Sequence, residues 1–422
     1  MRLQINQDPP QIMHIDLNSA FATTEQQAHP SLRGKPMGVT NRISKHCCVI
    51  ACSYEAKALG IKVGIRLSEA RLICPEFIIL ETDPPKYSFV YRKLLNIMKD
   101  YSPKVEMKSI DEGIIDFNNT RAINTRSLEE IGLEIKERIK KDIGCWMKVN
   151  IGIGTNRFLA KQAASWHKPN GLDVLDHSNL LNYYKQIELT DLTGIALHYQ
   201  ARLNAMGIFT ALDFFKAEPD FLRRQVFHSI VGEYWYKRLR GYEVDDKPTK
   251  LGQVGRQWVL GKASDDNSYI IPCFHYLCET TAQKLRFNNK SARGVMVALH
   301  LQNGEYWVKR KMYKSAFFTD KDVYTRALYL INQRPKNEPI KQMSITCYQL
   351  EDSFRNQLGI FEETNKANWL TDAVDEINDR FGNFAICSAE SLPGKELVKQ
   401  KVPFGSTKYF ELLLGSTASN ST

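Results

Sequence analysis

The earlier part of the chain alternates short apolar blocks with amphipathic ones. Ile12-Met13-His14-Ile15-Asp16-Leu17 reads as a buried strand over Gln11–Leu17 with a carboxylate at its C-terminal end. Asn18–Gln27 follows as a helix, with Asn18 or Ser19 as its cap. Cys48–Cys52 is a second apolar strand, and Ser53-Tyr54-Glu55-Ala56-Lys57 opens a helix after it. Tyr87–Tyr101 is an amphipathic helix. Val105–Ile110 and Gly113–Phe117 are apolar on either side of Asp111-Glu112, which predicts a hairpin with both acids at its tip. Leu128–Ile143 carries Ile131, Ile135 and Ile139 on one helical face, Lys148–Gly154 is a strand and Asn156–Ala164 a helix. The alternation predicts an α/β catalytic domain.

The pattern then changes. Leu189–Phe215 reads as helix, glycine turn, helix, with Thr193-Gly194-Ile195-Ala196 at the turn. Gly241–Lys250 is a polar linker containing Pro248. Beyond it come a strand (Gly255–Leu260), a helix (Tyr269–Phe287), two strands around Asn303-Gly304, a helix (Val323–Asn332) and a strand (Gln342–Leu350). Asn-Gly is a strong hairpin signal, so the order is β-α-β-β-α-β. Trp369–Phe381 reads as a further helix, and Gly415–Thr422 as a frayed end.

Composition narrows the class. With 422 residues, 43% hydrophobic and 25% charged, the chain is an ordinary multidomain globular protein. No run of about 18 apolar residues predicts a membrane span, and Met1–Ile12 lacks a signal-peptide pattern. Nine cysteines, an odd number in no disulfide-like register, fit a reducing cytoplasm. Cys47, Cys48 and Cys52, and Cys273 with Cys278, lack the paired spacing of a zinc site and read as buried small hydrophobes, while His14 and His46 read as structural.

Charge is segregated. The net charge is +10; residues 253–349 hold 15 Lys/Arg against 7 Asp/Glu, a net of +8, and residues 350–422 hold 7 against 11, a net of −4. A basic internal module with an acidic tail favours nucleic-acid binding by 253–349.

Three acids are candidates for chemistry: Asp16 at a strand end and the pair Asp111-Glu112. Hard divalent cations take oxygen ligands, and two ions about 3.5–4 Å apart clamp the attacking and leaving oxygens of a phosphoryl displacement. On spacing alone an equal alternative stands, in which Asp16 caps the next helix and Asp111-Glu112 is a solvated turn. Tyr54 and Lys57 share a helical face, and Lys168 lies in His167-Lys168-Pro169-Asn170-Gly171. These three suit triphosphate oxygens, although taken singly they are ordinary surface groups.

His14-Ile15-Asp16-Leu17-Asn18-Ser19-Ala20-Phe21-Ala22, Ser53-Tyr54-Glu55-Ala56-Lys57, Ser109-Ile110-Asp111-Glu112-Gly113 and Lys168-Pro169-Asn170-Gly171 occur in order. Together they resemble the signature set of Y-family translesion DNA polymerases, of the bacterial DNA polymerase IV and UmuC-like type, over nearly the whole chain. The resemblance implies an α/β (α+β, multidomain) right-handed polymerase. The palm would be 10–19 plus 83–173, the small fingers 20–82, and the helical thumb 174–242 with a helix-hairpin-helix. A linker would follow at 243–252, then a β-α-β-β-α-β little finger at 253–350 and an extension at 351–422.

It further implies DNA-directed, non-proofreading DNA synthesis in damage tolerance, with primer-template DNA and dNTP as partners and two Mg²⁺ ions as cofactors. Asp16 and Asp111 would bridge both ions, the Leu17 carbonyl would help at the nucleotide side, and Glu112 would face the primer-side ion. Tyr54, Lys57 and Lys168 would grip the triphosphate, and Phe21 matches the steric gate that excludes a 2′-OH. Gly194 and Ala196 would bring backbone amides to DNA phosphates, with Ala196 standing where the family usually has glycine. Arg256, Lys284, Arg286, Arg293, Lys309, Arg310, Lys311 and Lys314 would lie along the duplex from one sheet. Lys57 stands where arginine is more frequent, Ala51 where a hydroxyl is common, and Ala20 where an aromatic usually precedes the gate.

Gln357-Leu358-Gly359-Ile360-Phe361 resembles the peptide by which bacterial polymerases dock on the sliding β-clamp, with Gln357, Leu358, Ile360 and Phe361 as anchors. Accessory subunits or a recombinase filament are further partners that such a family allows. Three rival functions remain at this point. A catalytically silent, polymerase-like adaptor would not need Asp16, Asp111 and Glu112. A palm-fold nucleotide cyclase would not need the basic module. A simple DNA-binding module would not need Tyr54, Lys57 and Lys168.

Overall fold

The apolar run at 12–17 becomes the middle strand of a sheet. In the computed structural model, which describes residues 3–44, 47–120, 125–247, 250–336, 338–352 and 362–398, the chain divides between residues 248 and 249 into two units. The first runs β1 (Ile12–Leu17), α1 (Ala20–Ala28), β2 (Met37–Thr40), β3 (Ala51–Cys52), α2 (Tyr54–Ala58), α3 (Leu67–Ile73), β4 (Ile78–Glu81), α4 (Pro84–Lys99), β5 (Val105–Met107) and β6 (Glu112–Asp116). It continues with α5 (Leu128–Asp142), β7 (Val149–Gly154), α6 (Arg157–Trp166), β8 (Leu172–Leu175), α7 (Leu180–Gln186), α8 (Leu197–Asn204), α9 (Ala211–Lys216), the one-turn α10 (Pro219–Phe221) and α11 (Val231–Arg238).

The main sheet has the order β5-β6-β1-β7-β8, with β1 antiparallel to both neighbours. Side chains alternate across it. Met13, Ile15, Leu17, Ile115, Val149, Ile151 and Ile153 face a core shared with Val90, Leu94 and Ile97 of α4 and Ile131, Ile135 and Ile139 of α5. The opposite face therefore receives His14 and Asp16. There α6 lies so close that a Cβ on Gly152 would meet the Ala160 carbonyl and the Ala164 amide at 2.1 Å each. Both obstacles are backbone, so they yield only if the helix moves. Gly152→Ala is expected to cost about 3 kcal/mol of stability, read by urea unfolding; a change under about 0.5 kcal/mol would show that the helix is not held tightly there. A small sheet, β3-β2-β4, carries α2 and α3. The helices α7 to α11 share an aromatic core that includes Tyr184, Phe214, Trp235 and Tyr236.

The second unit runs β9 (Gln253–Ser264), α12 (Asn267–Phe287), β10 (Lys290–Leu301), β11 (Tyr306–Phe317), α13 (Asp320–Ile331), β12 (Ile340–Asp352), α14 (Glu362–Phe381) and α15 (Leu392–Leu397). The β-α-β-β-α-β order expected from the pattern is present, and its sheet is β11-β10-β12-β9, antiparallel throughout. Gly304 turns the hairpin at φ +92°. Among the described residues no helix is long and apolar enough to cross a membrane.

Under α15, Glu279 is buried at 4% exposure and accepts hydrogen bonds from Ser391 Oγ (2.7 Å) and Ser388 N (3.2 Å). Burial pushes its carboxyl up from 4.5 to about 7. The folded chain thus holds a proton that the unfolded chain releases. This contribution is full below about pH 4.5 and is lost as pH rises through 7, a span worth up to about 3 kcal/mol. Glu279→Gln is expected to raise the melting temperature at pH 8 and to change it little at pH 4.5. A lower melting temperature at pH 8 would contradict this account.

Candidate active site

Register puts two of the predicted acids opposite each other. Asp16 on β1 is the partner of Glu112 on β6, and Asn150 on β7 flanks Asp16 on the other side. Glu112 thus begins a strand rather than sitting at a hairpin tip, because the turn is made by residues 108–111. Ser109 holds that turn: its Oγ donates to Asp111 Oδ1 (2.5 Å) and accepts from the Glu112 amide (3.1 Å). The Leu17 amide donates to the Asp111 carbonyl at 2.9 Å, which joins the turn to the end of β1.

The ligand atoms of His14, Asp16 and Glu112 all lie within 4.8 Å of one another, the one such group among the described residues. Asp111 stands outside it, its carboxylate engaged by Ser109. It is still close in charge terms. Burial pushes its carboxyl up, and the charges of Asp16 and Glu112 add to the shift. Glu112 goes the other way: burial raises it, but hydrogen bonds from His14 and Lys161 outweigh that and hold it at about 2.

Two lysines complete the acid cluster. Lys168 Nζ donates to Asp16 Oδ2 (2.7 Å), and Lys161 Nζ donates to both oxygens of Glu112 (3.0 and 2.8 Å). Sequence reasoning missed Lys161. A signal existed, since Arg157 and Lys161 are i and i+4 on α6 and so share a helical face. His14 was expected to be structural; its Nε2 instead lies 3.2 Å from Glu112 Oε2, so it belongs to the site.

Tyr54 and Lys57 share one face of α2, which Ser53 caps by accepting from the Ala56 amide. The Lys57 ammonium sits 4.7 Å from the Tyr54 ring centroid and donates to Ser19 Oγ at 2.7 Å. Burial pushes the Tyr54 hydroxyl up to about 12, with the Asp16 charge adding. Burial and then Lys168 push Lys57 down. Tyr54, Lys57 and Lys168 are therefore brought together beside Asp16.

The helix-cap expectation holds in position but not in bonding. Ser19 is at the N-cap of α1 with φ +49°, but its side chain makes no cap bond; it receives Lys57 instead. Asn18 Oδ1 accepts from the Asn170 amide. Phe21 is buried and stacked on Tyr87, with centroids 4.2 Å apart and planes 20° apart. Tyr87 is itself fixed by its hydroxyl donating to Glu25 Oε1 (2.8 Å), whose other oxygen takes Lys86 (2.6 Å).

The helix-hairpin-helix residues lie in the same unit. Gly194 has φ +100° and would need to push a Cβ against Trp235 at 3.3 Å. Ala196 is the N-cap of α8 and leaves its first amides without a side-chain acceptor.

In the second unit the expected single basic sheet face is not found. Cross-strand partners point the same way. Lys309 and Lys311 pair with Val297 and Val295, and Arg256 pairs with Ile345; these partners are buried in the helix-side core. All three therefore lie on the helix side, and Lys311 Nζ is 4.2 Å from the Tyr329 ring centroid. Arg310 pairs with Met296 on the open face. Arg293 is ion-paired to Glu351 (2.5 Å). Burial pushes Lys284 down to about 7. Arg286, 5% exposed, is clamped between Asp320 and Asp375, so it is a structural ion pair rather than a DNA contact. The strand period of two split the charges, which a composition count does not register. The open face carries neutral Gln257, Met296, Ser344, Thr346 and Tyr348 beside Arg310, and Lys314 shares the strand parity of Arg310.

Gln357, Leu358, Ile360 and Phe361 lie outside the described residues, as does His46. Among the described residues the cysteines are free thiols.

A family model described as impB/mucB/samB matches residues 15–165. A protein named DNA polymerase IV from Pelotomaculum thermopropionicum is 30% identical over 402 residues, covering 92% of this chain and 97% of its own. Another of that name, from Moorella thermoacetica, is 29% identical over 395 residues, covering 91% and 96%. Among solved structures, a Y-family DNA polymerase chimera of Dbh and Dpo4 matches with a TM-score of 0.68 at 22% identity, covering 80% of this chain and 98% of its own. That level of identity shows the fold alone.

Proposed function

Since this chain belongs to the DNA polymerase IV group of Y-family polymerases and is a translesion DNA polymerase, we propose that Asp16, Asp111 and Glu112 carry its nucleotidyl transfer with two Mg²⁺ ions. The observation that carries this reading is the opposition of Asp16 and Glu112 across β1 and β6, with Asp111 joined by its carbonyl to Leu17. The donor set fits the ion. Three carboxylates and the Leu17 carbonyl offer hard oxygens, which Mg²⁺ prefers, while the His14 nitrogen is turned to Glu112. Bound there, the ions would stabilise charge in an in-line displacement and lower the pKa of the attacking hydroxyl.

The remaining roles fall to the chain's own groups. Lys168, Lys57 and Tyr54 converge where a triphosphate would need cations and a hydroxyl beside Asp16. Lys161 and His14 hold the Glu112 carboxylate in place and ionised. Phe21, backed by Tyr87, forms the wall against which a deoxyribose fits. Primer-template DNA and dNTP are the substrates, as in the insertion ternary complex known for Dbh DNA polymerase.

The palm comprises 10–19 and 83–173, the fingers 20–82, the thumb 174–242 and the little finger 253–350, after a linker at 243–252. DNA contact falls to the Gly194 and Ala196 amides, to Arg310 on the open face and to the edge lysines Lys309 and Lys311. The segment 357–361 in the extension 351–422 docks on a sliding clamp, and the protein works in the cytoplasm.

Primer extension on a primed template tests the core of this reading. Extension with deoxynucleotides and Mg²⁺, stopped by a chelator and restored by Mg²⁺, is the expected result. Extension that persists under the chelator would overturn the two-ion assignment.

A further inference from the structure

Lys168 sits on a turn, and a side chain on a bare turn is a poor instrument for meeting a phosphate at a fixed distance. This turn is not bare. Three buried polar side chains, from three separate elements, bind the backbone of residues 167–171. Asn150 of β7, fully buried, donates through Nδ2 to the His167 carbonyl (3.1 Å). Asn18, after β1 and 2% exposed, accepts the Asn170 amide (2.9 Å). Lys136 of α5, 8% exposed, donates through Nζ to the carbonyls of Asn170 (2.5 Å) and Gly171 (3.2 Å).

The turn also has little room to relax. Asn170 holds φ +63°. A Cβ on Gly171 would meet the His167 carbonyl at 2.3 Å and Asn150 Nδ2 at 3.0 Å. The outcome is visible at Lys168, whose ammonium is set 2.7 Å from Asp16 Oδ2.

Lys136 is the element that packing does not explain. A buried ammonium is costly unless paired, and its hydrogen-bond partners are two carbonyls of this turn. A methionine of similar length would fill the same space between α5 and the turn without that cost. Asn18 and Asn150 tie the turn to the strands next to Asp16, and Lys136 ties its far side to the core helix. The three together fix the turn against the sheet that carries the acids.

We propose that Lys136 is a positioning residue for nucleotide binding: it fixes the turn that presents Lys168 to the triphosphate. This rests on the reading of Lys168 as a triphosphate ligand. Lys136 is bonded to the backbone of the turn and not to Lys168 itself, so on this reading its effect passes through the placement of Lys168.

A double-mutant cycle on single-nucleotide insertion tests it, using the full chain with primer-template DNA. Lys168→Ala is expected to raise the KM for dNTP by about thirtyfold, and Lys136→Met by about tenfold, with the Kd for DNA within about twofold of wild type. The double variant is expected to match Lys168→Ala, since a clamp has nothing to act on once the lysine is gone. Lys136→Gln, which keeps an amide donor, is expected to fall between wild type and Lys136→Met, and it carries the same cycle if the methionine variant does not fold.

A merely structural lysine would lower the folded fraction and kcat together and leave KM alone. If Lys168→Ala raises KM while the Lys136 variants do not, or if the two effects multiply in the double variant, the positioning role is wrong and the Lys168 reading stands. If Lys168→Ala leaves KM unchanged, the Lys168 reading itself falls, and the Lys136 proposal falls with it.

Discussion

Asp111→Ala is expected to slow nucleotide addition by at least about a thousand-fold, which corresponds to about 4 kcal/mol of transition-state stabilisation. The size follows from where the carboxylate stands. Asp111 lies beside the end of β1, joined through its carbonyl to the Leu17 amide. Burial raises its carboxyl, and the nearby charges of Asp16 and Glu112 add to the shift. Lys168 already sits on Asp16 and Lys161 on Glu112, so in the proposed reading the loss of Asp111 removes a hard oxygen ligand that would hold the ions.

The substitution should spare the fold. The side-chain bond of Asp111 is to Ser109, whose Oγ also accepts from the Glu112 amide and so keeps the turn. DNA affinity should therefore change by less than about threefold, within the scatter of surface substitutions. Single-turnover primer extension alongside DNA-binding anisotropy gives both numbers. Glu112→Ala is a less clean control, because it would leave Lys161 and the buried His14 without their carboxylate. An Asp111→Ala enzyme within about tenfold of wild type would remove Asp111 from the catalytic set.

How far the sequence foretold this site depends on how local each feature is. The acids were legible because a carboxylate inside an apolar strand has few structural uses, and because strand alternation puts His14 and Asp16 on one face. The convergence of Tyr54, Lys57 and Lys168 was legible through the motifs they sit in. What escaped notice was set by contact across the sheet.

Lys161 reaches Glu112 only because Gly152 lets α6 lie against β7. Ser19 is the N-cap residue expected, but its hydroxyl accepts from Lys57 rather than capping the helix. The basic count of 253–349 was right as a sum and wrong as a surface. Register sends Lys309, Lys311 and Arg256 to the helix side, and burial turns Arg286 into the partner of Asp320 and Asp375. Counting charges along a strand cannot separate its two faces, whereas pairing does.

The same limit bears on Phe21, where motif and packing suggest different roles. A phenylalanine at 4% exposure on the first helix is by packing an ordinary core residue. By motif it matches a wall proposed to reject a 2′-OH. The packing around the ring is compatible with both roles. The ring is stacked on Tyr87, whose hydroxyl is anchored to Glu25, and Glu25 is anchored in turn to Lys86. A wall rejects an extra oxygen only if it cannot retreat, and this chain of contacts prevents retreat.

Phe21→Ala is therefore expected to raise ribonucleotide insertion relative to deoxynucleotide insertion by about a hundredfold or more, about 2.7 kcal/mol of lost discrimination. Deoxynucleotide insertion should fall by less than about tenfold, since no positive contact of the chemistry is removed. Tyr87→Leu keeps the ring of Phe21 but removes its backing, and should relax the sugar preference in the same direction by a smaller factor. The ratio of kcat/KM for paired ribo- and deoxynucleotides on one template measures all three enzymes. If Phe21→Ala leaves that ratio unchanged, Phe21 is core and the sugar is sorted elsewhere. If Tyr87→Leu matches wild type while Phe21→Ala relaxes, the wall is the ring alone and the backing from α4 contributes nothing to selectivity.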